Sequence, residues 1–169
     1  LQILDFDLAP FQQDGSLLSS TGQLRWYESS SGEQGGCFTL DTDATKAVVG
    51  FARERSFKLG DVSIAPQSNF AAIYVTALES DANIDTSQRL LVVALARARN
   101  TGMKFSVTGD ELLDKGTSPV RMEPVKAVVH INRPGTLEVI LLDHDGRRTN
   151  KKLPVVDGQF TLDGASDQT

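Results

Sequence analysis

Carboxylates are the residues best supplied for chemistry here. Asp5 and Asp7, Asp41 and Asp43, and Asp143 and Asp145 all repeat at a spacing of two. On a strand that spacing puts both side chains on one face; in a loop it lets both reach one hard cation. Calcium takes about six to eight oxygens, so a pair is only part of a site. Asp143 and Asp145 are the candidate ligands of a structural Ca²⁺, although Asp143-His144-Asp145-Gly146 reads equally well as the opening of a hairpin. A glycosidase would need two carboxyls facing each other across a sugar, roughly 5–5.5 Å or 6.5–9.5 Å apart, and nothing in the spacing selects such a pair. The two histidines, His130 and His144, could join a Ser/His/Asp set with any of many serines and aspartates, and nothing in the spacing selects one. A metal-binding Cys/His cluster, a P-loop, a dinucleotide fingerprint and a Gly-x-Ser-x-Gly elbow are all missing. The expectation is a chain without catalytic residues and without a required cofactor.

Aromatic rings offer different chemistry, because a flat ring stacks on the apolar face of a pyranose while polar groups fix its hydroxyls. Trp26 and Tyr27 are adjacent, so on a strand they point to opposite faces; Leu24, Trp26 and Glu28 share one face, and Arg25 and Tyr27 the other. In one reading Trp26 anchors the core and Tyr27 is an exposed strand residue. In the other, one of the two is a stacking platform oriented by Arg25 or Glu28, which makes Trp26, Tyr27, Arg25 and Glu28 the candidate ligand-binding residues. Tyr74, in the middle of an apolar run, is expected in the core with its hydroxyl at a sheet edge. The single cysteine, Cys37, opens an alternating segment and reads as a buried strand thiol. Basic residues gather at Arg53, Arg55 and Lys58 and at Arg147, Arg148, Lys151 and Lys152, either as anion contacts or as charged edges that block aggregation. Arg97 and Arg99 are expected to pair with carboxylates across a sheet.

The elements that must position these groups are strands. Apolar runs at 24–29, 38–41, 47–52, 62–65, 70–79, 89–99, 121–123, 126–132, 137–143, 148–154 and 159–162 alternate with turn clusters. Asp145-Gly146 and Asp157-Gly158 are hairpin signals, and residues 137–162 read as a three-strand meander. The run 89–99 has helical propensity but splits into two strand faces, of which Leu90, Val92, Ala94, Ala96 and Ala98 form a uniformly small, apolar set. The other helical candidate is a turn or two within residues 109–115. The fold class is all-β: a two-sheet antiparallel sandwich, jelly-roll-like, with little helix. At 169 residues the chain is one domain, with residues 1–21 a lead-in or edge strand. A net charge of −5 and a pI near 5.0 argue against nucleic acid as partner. The apolar runs fall well short of the about 20 residues that span a bilayer as a helix. Starting at Leu1 and ending in a polar run, the chain reads as a segment of a longer polypeptide whose export signal would lie elsewhere.

Several blocks carry a resemblance. Thr21-Gly22-Gln23-Leu24-Arg25-Trp26, Phe38-Thr39-Leu40-Asp41-Thr42 and Thr45-Lys46-Ala47-Val48-Val49-Gly50 come first. Leu59-Gly60-Asp61-Val62, the run from Phe70 to Leu78, Arg89-Leu90-Leu91-Val92 continuing to Met103, Glu123-Pro124-Val125 and the Asp143-to-Gly146 hairpin follow in order. Together they resemble a β-rich, usually C-terminal domain of large secreted bacterial glycoside hydrolases and related polysaccharide-degrading proteins, over residues 20–165. The resemblance implies a non-catalytic accessory module in a secreted, periplasmic or extracellular setting. Its partners would be a polysaccharide or oligosaccharide and a catalytic domain in cis; the alternative is a purely structural domain that docks on that neighbour without binding sugar. An autonomous carbohydrate-active enzyme is a third reading. The resemblance supplies no binding residues.

Overall fold

The computed structural model describes residues 7–29 and 35–166. A 3-10 turn at Ala9–Phe11 leads into β1 (Gln12–Gln13), β2 (Ser16–Leu18), β3 (Leu24–Tyr27), β4 (Cys37–Asp41) and β5 (Thr45–Gly50). Next come β6 (Phe57–Leu59), β7 (Val62–Pro66), β8 (Ala71–Ala77), β9 (Leu90–Leu95), β10 (Ala98–Thr101), β11 (Lys104–Phe105) and β12 (Leu112–Asp114). The last five are β13 (Thr117–Met122), β14 (Lys126–Ile131), β15 (Val139–Leu142), β16 (Arg148–Leu153) and β17 (Gln159–Asp163). All ladders are antiparallel. The protein is all-β, as its alternating sequence predicts.

Two sheets make the sandwich. One has seven strands in the order β1-β2-β3-β4-β5-β8-β9; the other has four, β17-β14-β7-β6. β4 lies against β6 and β5 against β7, so the inner faces meet there. Period-two alternation sets what each strand contributes. β8 buries Ala71, Ile73 and Val75 and β14 buries Ala127, Val129 and Ile131, while the residues between them are less buried. Val48 opposes Ile73 within the large sheet, and Val129 opposes both Ile64 and Phe160 within the small one. Each such fully buried aliphatic side chain contributes about 1.5–3 kcal/mol by leaving water. Lys46 closes one end of the inner face, its Nζ 2.5 Å from Asp41 Oδ1 and beside Gly60.

The structure refines several sequence expectations and overturns others. The run 89–99 is strand, but β9 ends at Leu95; the chain then leaves the large sheet and resumes as β10, paired with β13. Leu90, Val92 and Ala94 do face the core. Residues 137–162 are not a meander. β15 and β16 form their own hairpin, whereas β17 crosses to β14 after the Asp157-Gly158 turn. At that turn Asp157 and Gly158 have φ of 49° and 76°, and Val156 and Gln159 exchange both backbone hydrogen bonds. This is the two-residue geometry that a positive φ at both central positions allows. Residues 112–114, expected as part of a helical turn, form β12. Tyr74 is not in the core, because its register partners Ala47 and Val93 place it on the outer face of the large sheet. Residues 12–18 form the edge hairpin, while residues 1–6 and Asp5 with them lie outside the described residues.

Candidate functional site

An apolar groove lies on the outer face of the β1–β3 edge. In β3, Leu24 and Trp26 point outward with Phe38 and Leu40 of β4, while Arg25 and Tyr27 point inward with Thr39 and Cys37. Trp26 is 45% exposed, and its ring lies 6.4 Å from that of Phe38 with the planes 19° apart. Leu8, Phe11, Leu17, Leu18, Leu24 and Phe38 surround it, with Ser19 and Arg25 as polar members, in a groove of about 580 Å³. Gly36 lies against the indole: a Cβ there would stand 2.6 Å from Trp26 Cζ2, so a side chain at this position would require the ring to shift.

The expected ligand-binding set is thereby divided. Trp26 faces solvent and Tyr27 is half-buried, the reverse of the reading in which Trp26 anchors the core and Tyr27 is exposed. The physical reason is register: Tyr27 opposes buried Cys37, so parity forces Trp26 outward. Tyr27 packs edge-on against Phe57 at 5.5 Å, and the Arg55 guanidinium sits 4.6 Å above the tyrosine ring. Arg55 Nη1 also donates to Cys37 Sγ at 3.1 Å. Burial pushes the Cys37 thiol pKa up, and the charge of Arg55 opposes that shift in part. Arg25 borders the groove, but its guanidinium is held by Ser16 Oγ and Gln13 Oε1, both at 3.1 Å. Glu28 follows β3 and is exposed.

Asp143 and Asp145 serve the β15–β16 turn. Asp143 Oδ1 accepts the backbone N–H groups of Asp145 (2.9 Å) and Arg147 (2.8 Å), and Asp145 Oδ2 pairs with Arg147 Nη1 at 2.7 Å. That is the hairpin-opening alternative to a cation site. Asp41 is committed to Lys46. Among the described residues no three His, Cys, Asp or Glu side chains converge as a metal site would require. His130 Nε2 lies 3.1 Å from the Asp157 carbonyl oxygen, and His144 is exposed at a hairpin tip.

Sequence reasoning missed most of the groove wall: Leu8, Phe11, Leu17, Leu18 and Phe38. Phe38 was within reach, since its parity with Trp26 follows once β3 and β4 are paired. The others lie in an irregular lead-in whose only signal is apolar residues between turn residues. No family model, curated protein or solved structure matches this chain.

Proposed function

We propose that this chain is a non-catalytic accessory module of a secreted polysaccharide-degrading protein, and that it positions a catalytic domain in cis through the groove around Trp26. The lining carries the reading: Leu8, Phe11, Leu17, Leu18, Leu24, Trp26 and Phe38 are seven apolar residues of nine. A contiguous exposed apolar surface on a strand scaffold is an interaction site more often than idle surface. A rigid aromatic at its centre supplies large contact area at low entropic cost. A sugar site needs polar groups that converge on hydroxyls. Here Ser19 and Arg25 are the polar lining, and the Arg25 guanidinium is already engaged. That balance favours contact with protein over capture of glycan.

The exposed indole itself favours a second reading, in which Trp26 stacks on a pyranose. Hydroxyl-radical footprinting separates the two, because Trp26 is the only tryptophan of the chain. In a longer polypeptide that retains the neighbouring domain, Trp26 oxidation falls several-fold relative to the isolated chain; equal oxidation overturns the positioning role. Affinity electrophoresis of the isolated chain against neutral and anionic polysaccharides then judges the second reading. Retardation that Trp26→Ala abolishes and Tyr27→Ala leaves intact would replace docking with glycan stacking.

A further inference from the structure

Past β9 the chain leaves the sandwich as a ribbon. In β10–β13, Arg99 stands directly opposite Arg121, and every residue of β13 is exposed. The Glu123 N–H donates to the Arg97 carbonyl oxygen at 2.9 Å, so the pairing extends one step further and Arg97, Arg99, Arg121 and Glu123 share a face. Arg97 Nε donates to Glu123 Oε2 at 2.9 Å, and its guanidinium rests 5.6 Å from the Phe51 ring and 5.9 Å from the Phe70 ring. Arg99 Nε is 3.7 Å from Glu123 Oε1, beyond hydrogen-bond reach, and its guanidinium stacks on Phe105 at 4.9 Å. Among the described residues the Arg121 guanidinium has no ion pair or hydrogen bond.

One carboxylate therefore pairs with two of the three guanidinium groups on this face and leaves Arg121 without a counter-charge, in a chain whose net charge is −5. Like charges directly opposite one another weaken a ladder. Guanidinium forks match planar oxyanions, and stacking on rings fixes Arg97 and Arg99 in advance. Glu123 against Arg97 already displays the pairing that a ligand carboxylate would repeat one step along the ribbon.

We propose that Arg99 and Arg121 clamp a carboxylate of an acidic glycan, with Phe105 beneath and Glu123 holding Arg97 aside. The choice of a glycan as carrier rests on the accessory-module reading above; the oxyanion clamp does not. Four probes at one ionic strength test it by NMR titration of the whole chain: a uronic-acid trisaccharide, its neutral counterpart, a sulfated trisaccharide and a glutamate tripeptide. The expected result is saturable shifts at residues 97–101 and 119–123 with the uronic acid alone. Binding should weaken about tenfold or more in Arg121→Gln, as loss of a charge-assisted contact predicts, and less in Arg121→Lys. Unchanged Trp26 resonances in each variant certify the fold. Absence of binding, or equal binding by Arg121→Gln, overturns the clamp. Preference for the sulfated probe overturns the carboxylate, and equal binding of the tripeptide overturns the glycan. The Trp26 footprint is a separate readout, so loss of the clamp and loss of the docking groove are told apart.

Discussion

The two faces of the seven-stranded sheet differ far less in composition than in fate. On the outer face one register row runs Leu17, Trp26, Phe38, Val49, Ala72, Leu95 across six strands, and a second runs Leu24, Leu40, Ala47, Tyr74, Val93. The inner face offers Arg25, Thr39, Val48, Ile73 and Ala94 in one row and Asp41, Lys46, Val75 and Val92 in the next. The inner rows are the more polar, yet apart from Ala47 they hold all the buried residues of these four rows, because the second sheet sits on them. Burial here follows topology, with hydropathy setting only what is tolerated.

The sharpest way to break that contrast is truncation on either side. Ile73→Ala removes a fully buried side chain and should cost about 2–5 kcal/mol of unfolding free energy. Leu95→Ala, on the outer face and 47% exposed, should cost less than about 1 kcal/mol, with Trp26→Ala close behind. Denaturant unfolding measures both. Equal costs would mean that the outer face is as tightly packed as the core.

A smaller effect is expected where the groove meets the backbone. Gly36→Ala sets a methyl group against the indole, at 2.6 Å from Cζ2 before relaxation, and should cost about 1–3 kcal/mol while turning Trp26 further into water. A red shift in tryptophan emission without loss of cooperative unfolding is the predicted signature. An unchanged spectrum would show that the indole does not rest on Gly36.

This contrast also explains what the sequence disclosed. The apolar run at Phe70–Leu78 and the alternation at 126–132 show strands whatever covers them, and Asp157-Gly158 carries its turn chemistry locally. Coverage is non-local. That Trp26 faces out depends on Tyr27 opposing Cys37, a pairing between two separate strands, and Tyr74 is misplaced by the sequence for the same reason. The salt bridge from Arg97 to Glu123 was legible as polar residues emerging from an apolar strand, whereas the unpaired Arg121 opposite Arg99 needs the β10–β13 register. The groove wall at Leu8 and Phe11 follows no period at all, so no pattern marks it.

Cys37 sharpens the comparison chemically. It shares the inner face with Tyr27, is fully buried, and its thiol pKa is raised by desolvation despite the Arg55 contact. The thiolate is the reactive form, so native protein at pH 8 should leave an aromatic disulfide reagent unreduced until unfolding exposes the thiol. A rapid stoichiometric reaction in the folded state would show that the sheets part more readily than their packing implies.

The smallest effect is expected at the loop joining β8 to β9, which sends Ile84 into the core beneath the inner face. Glu79 anchors that loop. Its carboxylate is hydrogen-bonded by the Ser87 hydroxyl and by Arg89 Nε at 3.1 Å, contacts that lower its pKa from 4.5 to about 2, with Ser87 the larger cause. A carboxylate whose pKa is lower in the folded state contributes stability that is complete above its unfolded value and fades as pH falls through the folded one. The loop should therefore hold at pH 5 and loosen between about pH 4.5 and 2. Hydrogen exchange at residues 80–88 should quicken in that window while the amides of Ile73 and Val75 stay protected, since Arg133 still holds the Ile84 and Ser87 carbonyls at 2.9 and 2.8 Å. Ser87→Ala removes the larger cause, so the lower end of that window should rise toward pH 4.5. A lower end that does not move would assign the low pKa to Arg89 instead, and simultaneous loosening of β8 would show that the loop and the covered face open as one unit.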